Sequence, residues 1–341
     1  MTLREDSLHC MDTIRWGIIG AGWIADIMAA DFPFVHNAEL VAIASRKREK
    51  AEALAKKYRI PRAYGSYLEL LDDPAIDVVY IATPHPHHRD IALAAINRGK
   101  AVLVEKAFTA THDGAVEVVQ AARDKRVFCM EAMWTRFLPA IAAAREIVAW
   151  GRIGEVLSVQ GDLCAYREYD PTHRLFSLET AGGAVLDLGV YVISFAQLFL
   201  GQAQVIECVG RLAPNGTDAA ASMAIQYTGG GLAALSCGFD GHGPARMSII
   251  GTKGWIEVEP RFHHPTTLSV HRSGVLPRII EAKMTGRGYA HEIAEVSDRL
   301  LAGSTESPTM PLDDTLEVMR VMEECLDQLG VRNQEAELHF R

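Results

Sequence analysis

Two short stretches carry side chains able to move a proton. Glu105-Lys106 closes an otherwise apolar run, and Asp187 and Tyr191 stand four apart after Gly182-Gly183. A lysine at such a strand end can donate to a substrate hydroxyl or carbonyl and stabilise negative charge beside a reacting carbon. Taken by themselves, Glu105 and Lys106 suit a charged strand end reaching solvent better. Residues four apart on a helix share one face, so Asp187 and Tyr191 are expected side by side. A phenol can exchange a proton with a substrate hydroxyl, and a neighbouring lysine cation would lower its pKa. The same pair also fits an acidic residue favouring a helix N-terminus and a tyrosine packed in the core, and both readings stand at this point.

A third stretch, Gly20-Ala21-Gly22-Trp23-Ile24-Ala25, matches G-x-G-x-x-G/A. Gly20 permits a tight strand-to-helix turn, Gly22 lets the backbone approach a pyrophosphate, and Ala25 allows close helix packing. Free N–H groups and the helix dipole favour phosphate there. The bland alternative is a tight turn without a ligand. Glu105 is expected to hold Lys106 or the nicotinamide amide. The end of the second strand reads Ser45-Arg46-Lys47-Arg48, where an acidic residue would bind the ribose 2′-hydroxyl of NAD. A hydroxyl and a guanidinium suit a 2′-phosphate. The expected cofactor is therefore NADP, with Ser45 and Arg46 as contacts and NAD as the alternative; Lys47 and Arg48 fit a solvated helix start.

These residues need elements to hold them. Apolar strands are expected at Ile14 to Gly20, Glu39 to Ser45, Asp77 to Thr83, Ala101 to Glu105 and Val127 to Glu131, with helical stretches between them. Such alternation predicts a parallel sheet covered on both faces, with ligands at the carboxyl ends of the strands. Gly20 to Ala25, Thr83-Pro84 and Glu105-Lys106 are the strand ends that matter. After Trp134 the pattern changes: consecutive strand-like segments from Val156 to His271 predict a largely antiparallel sheet, interrupted by a helix over Leu186 to Leu200. Two helices, about Tyr289 to Ala302 and Leu312 to Leu329, close the chain. The expected fold is α/β: a Rossmann dinucleotide-binding domain over 1–131, with 1–13 as a disordered leader, and an α+β domain over 132–341 for substrate binding and oligomerisation. The last helix is expected to pack back on the first domain.

Composition narrows the function classes. Lys plus Arg is 34 and Asp plus Glu is 43, a formal net charge of −9, which argues against a large nucleic-acid surface. No apolar run reaches the ~18 residues that span a bilayer, and the expected location is cytoplasmic. The six cysteines include no C-x-x-C pair and read as reduced thiols. The histidines at His85, His87, His88 and His263-His264 match no zinc spacing, so no metal is expected. His88, starting a helix beside the cofactor loop, is a candidate ligand contact as well as a structural residue.

These motifs, in this order, resemble the Gfo/Idh/MocA family of oxidoreductases over about Ile14 to Leu329. The resemblance rests on the glycine loop, Ala82-Thr83-Pro84 with His88, Glu105-Lys106, and Gly182-Gly183 followed by Asp187 and Tyr191. Glu131 to Phe137, Asp187 to Tyr191 and Glu306-Ser307-Pro308 are most similar to its branch of dimeric dihydrodiol dehydrogenases and NADP-linked xylose dehydrogenases. The resemblance implies that Lys106 lowers the pKa of Tyr191, that Tyr191 is the general acid/base, and that Asp187 supports them. It also implies that Trp134, Arg136 and Phe176 lie near the nicotinamide or the substrate. Two departures stand out: Ala107 replaces the usual proline of Glu-Lys-Pro, and Tyr191 stands where many members have histidine.

The expected activity is hydride transfer between NADP(H) and a secondary alcohol or hemiacetal carbon of a small polyol, either a sugar or a cyclic diol. The expected assembly is a homodimer, or a higher homo-oligomer, through the C-terminal sheet. A non-catalytic NADP-binding sensor is the main rival, and a metal-dependent lyase or hydrolase on the same fold is another.

Overall fold

The computed structural model describes residues 13–338. The leader expected over 1–13 lies outside the described residues except for Thr13. The first unit runs β1 (Ile14–Ile19), α1 (Trp23–Asp31), β2 (Ala38–Ala44), α2 (Arg48–Tyr58), β3 (Arg62–Tyr64), α3 (Tyr67–Leu71), β4 (Val78–Ile81), α4 (His88–Asn97), β5 (Ala101–Glu105), α5 (His112–Lys125) and β6 (Cys129–Ala132). All its strands pair in parallel, in the order β3-β2-β1-β4-β5-β6. The order reverses between β1 and β4, which opens a crevice at their carboxyl ends. Strands β4 and β5 are buried throughout because helices cover both faces, so they read as unbroken apolar runs.

The second unit runs α6 (Pro139–Ala149), β7 (Val156–Cys164), α7 (Val190–Leu200), β8 (Ala203–Leu212), β9 (Asp218–Tyr227), β10 (Leu232–Gly238), β11 (Met247–Gly251), β12 (Gly254–Val258), β13 (Thr267–Arg272), β14 (Val275–Glu281), α8 (Ala290–Leu301) and α9 (Leu312–Leu329). Its eight strands are ordered β14-β13-β12-β11-β7-β10-β9-β8. All pairs are antiparallel except β7 with β10. One face packs on α7 and α9; α9 also meets α5 and β6 of the first unit. Helix α8 packs on β1 and β2, where the Trp16 indole donates to Ser297 Oγ at 3.2 Å.

The helix expected over Leu186 to Leu200 differs at its start. Val185–Gly189 forms a π-helical turn, and α7 follows directly. The wider stretch Leu178–Leu200 is apolar enough, by length and composition, to cross a bilayer, more than the sequence reading allowed. Its most apolar window is 72 % buried inside the protein, where it forms core beneath the sheet.

Candidate active site

The glycine loop takes up the conformation its residues allow. Gly20 has φ +105°, and a Cβ there would stand 2.5 Å from the Ala82 carbonyl oxygen. A larger residue would therefore push β1 and β4 apart. Gly22 caps α1 without any side-chain hydrogen bond, and a Cβ there would meet nothing within 4 Å. With no side-chain cap on its first N–H groups and room beside Gly22, the start of α1 suits a pyrophosphate. Ala25 is fully buried against the sheet, while Trp23 is exposed and Ala21 and Ile24 are half-buried. Across the crevice, Thr83 Oγ1 is buried with no partner among the described residues, a hydroxyl that a bound dinucleotide would satisfy. Ser45 Oγ accepts from the Lys47 N–H at 3.2 Å and keeps its own proton to donate. Arg46 is exposed beside the Tyr67 hydroxyl, whose pKa burial raises and Arg46 lowers. These residues fit an NADP-type cofactor.

Lys106 sits at the carboxyl end of β5, on a cis Lys106–Ala107 peptide. Its ammonium donates to the Asp187 carbonyl at 2.9 Å and to Asp187 Oδ1 at 3.4 Å. It also lies 4.9 Å from the centroid of the Tyr191 ring, within cation–π range. Burial works to lower the Lys106 pKa, but Asp187, Tyr191 and Glu105 together raise it. Asp187 is held well below the usual carboxylate range: burial opposes ionisation, and Lys106 and Arg174 outweigh it. Arg174 Nη2 lies 3.4 Å from Asp187 Oδ1. Asp187 belongs to the π-helical turn and Tyr191 to α7, so the pair does not share a regular α-helical face. The wider turn still brings both to Lys106.

The Tyr191 hydroxyl accepts from Trp134 Nε1–H at 3.0 Å. Indole can only donate, so the phenolic proton stays free for a substrate. The Tyr191 pKa is raised, not lowered, relative to an ordinary tyrosine: burial raises it, and Lys106 offsets only part of that rise. Trp134 is itself held by Tyr289, stacked at 4.4 Å with 9° between the planes. Tyr289 is fixed in turn because buried Asp31, at the end of α1, accepts its N–H at 2.8 Å and those of Arg287 and Ala290.

Several expectations need correction. Glu105 does not hydrogen-bond the Lys106 ammonium; its carboxylate accepts from the Tyr80 hydroxyl and, at 3.2 Å, from the Lys106 N–H. His88 is fully buried, with ring nitrogens 2.7 Å from the Thr83 carbonyl and 3.0 Å from the Ala107 carbonyl. Burial lowers its pKa to about 4. Both ring nitrogens face main-chain carbonyls, and the neutral ring donates its single N–H to one of them, which makes it a structural link between two strand ends. Arg136 is likewise consumed internally: it donates to Ser194 Oγ at 2.9 Å, to Asp314 Oδ2 at 2.5 Å and to Gln197. It clamps α7 to α9 rather than facing the crevice. Phe176 is buried with its ring edges on Tyr169 and Phe239, and Pro84 passes its carbonyl to the His87 N–H.

Other residues at the site carried no functional assignment in the sequence reading: Tyr289, Arg174 and His263. His263 was noted only as a poor metal candidate, and its ring lies 5.3 Å from that of Tyr191. Among the described residues, no group of three or more His, Cys, Asp or Glu is arranged to hold a metal.

Residues 14–133 match the family model described as "Oxidoreductase family, NAD-binding Rossmann fold", and residues 141–257 match the GFO/IDH/MocA C-terminal domain. The chain is 35% identical over 329 residues to trans-1,2-dihydrobenzene-1,2-diol dehydrogenase of Mus musculus, covering 93% of this chain and 97% of that protein. Identity to the enzyme of the same name from Xenopus tropicalis is 36% over 327 residues, with 93% and 98% covered. Among solved structures, the aldose-aldose oxidoreductase of Caulobacter crescentus superposes with a TM-score of 0.84 at 24% identity, over 93% of this chain and 98% of that one. A levoglucosan dehydrogenase in complex with NADH and levoglucosan gives 0.85 at 21%, over 94% and 98%; both likenesses speak to the fold. The glycine cradle, the matched domains and the identity across nearly the whole length together place the chain in the Gfo/Idh/MocA family, as an NAD(P)-dependent oxidoreductase acting on CH–OH groups.

Proposed function

We propose that the substrate is a small polyol, a sugar or a cyclic diol, oxidised reversibly at a secondary alcohol or hemiacetal carbon with NADP as the preferred acceptor. The observation that carries this reading is the Tyr191 hydroxyl, which accepts from Trp134 while its own proton is free beside Lys106. The names of the relatives, a dihydrodiol dehydrogenase and sugar oxidoreductases, support the substrate class.

When bound, the nicotinamide accepts or donates the hydride. Tyr191 takes the hydroxyl proton as its carbon is oxidised and returns it in reduction. Lys106 offsets negative charge on the phenolate and on the substrate oxygen. Asp187 holds the ammonium in place, and Trp134 fixes the phenol. The basic, exposed Arg46 supports the choice of NADP over NAD. Tyr191→Phe tests the assignment: with a panel of sugars and diols, cofactor reduction is expected to fall by about 10²–10⁴-fold while NADPH binding persists. Unchanged turnover would remove Tyr191 from the mechanism.

We also infer a homodimer in the cytoplasm. Val205, Val209, Leu232 and Trp255 are exposed on the uncovered face of the eight-stranded sheet, an apolar surface suited to a twofold contact. The described cysteines are free and largely buried, which suits a reducing compartment. Val209→Arg is expected to give a monomer by light scattering.

A further inference from the structure

The loop between β12 and β13 reaches into the site from the far end of the second sheet. Phe262 anchors it: the ring is fully buried, and its N–H donates to the Ala245 carbonyl at 3.1 Å. The next residue is tied directly to the segment that carries Trp134, because Thr135 Oγ1 donates to the His263 carbonyl at 2.7 Å. The His263 ring therefore has a fixed place, 5.3 Å from the Tyr191 ring, 6.4 Å from Trp134 and 4.4 Å from His264.

Its polar atoms are not used by the protein. Nδ1 is shut off from solvent and has no partner among the described residues, and no hydrogen bond is made by Nε2. His85 and His88 are different: each engages main-chain carbonyls. Burial, with the charges of His264 and Lys106, pushes the His263 pKa down to about 3, so the ring is neutral near pH 7. A neutral imidazole carries its proton on one ring nitrogen, so Nε2, the nitrogen not shut off from solvent, meets a hydroxyl as donor or as acceptor.

We propose that His263 is a substrate-binding residue, holding a second hydroxyl of the substrate next to the one that Tyr191 deprotonates, and so selects vicinal diols and sugars over mono-alcohols. This rests on the dehydrogenase reading above. It gives the open Nε2 a partner, while Nδ1 stays enclosed by the protein. It also states a basis for discrimination: a site built to bond a hydroxyl rejects the analogue that lacks it.

The test compares trans-cyclohexane-1,2-diol with cyclohexanol on wild type, His263→Phe and His263→Asn. The ratio of kcat/KM for the diol over the mono-alcohol does not depend on how much of a variant is folded. His263→Phe is expected to lower that ratio by about 10- to 100-fold, mainly through KM for the diol. His263→Asn, which keeps a donor and an acceptor, is expected to restore much of it. A ratio unchanged in His263→Phe overturns the assignment. If the wild type oxidises neither alcohol, the dehydrogenase reading has failed; the two alcohols are then compared by quenching of tryptophan fluorescence, and equal affinity overturns the role of His263 as well.

Discussion

The indole N–H of Trp134 donates to the hydroxyl of Tyr191 across 3.0 Å, and this single bond settles which way the phenol can act. Because indole has no acceptor, Tyr191 must present its lone pair to Trp134 and its proton elsewhere. Trp134→Phe keeps an aromatic ring for Tyr289 to stack on but removes the donor. It is expected to lower kcat by about tenfold, the net worth of one hydrogen bond. Steady-state kinetics with matched melting temperatures separates this from a folding defect.

The pH dependence follows from the raised pKa of Tyr191. Oxidation needs the phenolate, so its rate is expected to climb as pH rises toward the alkaline range; reduction needs the phenol and falls there. Lys106 favours the phenolate, so Lys106→Met moves both limbs to higher pH. Near pH 8 the variant is expected to lose oxidation more than reduction. Equal losses in both directions, with an unshifted profile, would show that Lys106 acts only in binding.

Arg46 provides the test of cofactor choice. It stands exposed just beyond β2, near Tyr67 and His87. Arg46→Ala is expected to weaken NADPH binding by about 10- to 100-fold, as expected for a lost charge-assisted contact, and to leave NADH nearly unchanged. A fluorescence titration with both nucleotides gives the answer directly.

Arg136 makes a prediction of the opposite kind. Its guanidinium is 2% exposed and ties Asp314 to Ser194 and Gln197. Arg136→Met leaves buried Ser194 and Gln197 and half-buried Asp314 without their partner and is expected to destabilise the fold by about 1–3 kcal/mol. Denaturant unfolding measures this. The nucleotide affinity of the fraction that remains folded should not change, which separates the clamp from a cofactor contact.

The sequence alone determined what depends on neighbours along the chain. The glycine loop was legible because a tight turn and a phosphate cradle are local demands on Gly20, Gly22 and Ala25. The parallel sheet was legible because β4 and β5 are apolar without alternation. Lys106, Asp187 and Tyr191 were legible as motifs. Strands β3 and β14 were not: β3 has three residues, and β14 is an exposed edge containing Pro277, so neither shows a period. Only the tertiary structure decided which polar groups are spent. His88 was a candidate ligand contact by position and Arg136 by the family resemblance, yet the first is enclosed between the Thr83 and Ala107 carbonyls and the second is spent on Ser194, Gln197 and Asp314. His263 and Tyr289 reach Tyr191 and Trp134 from far along the chain. A residue type states which hydrogen bonds a side chain can make; whether they are already made depends on partners that only folding brings near.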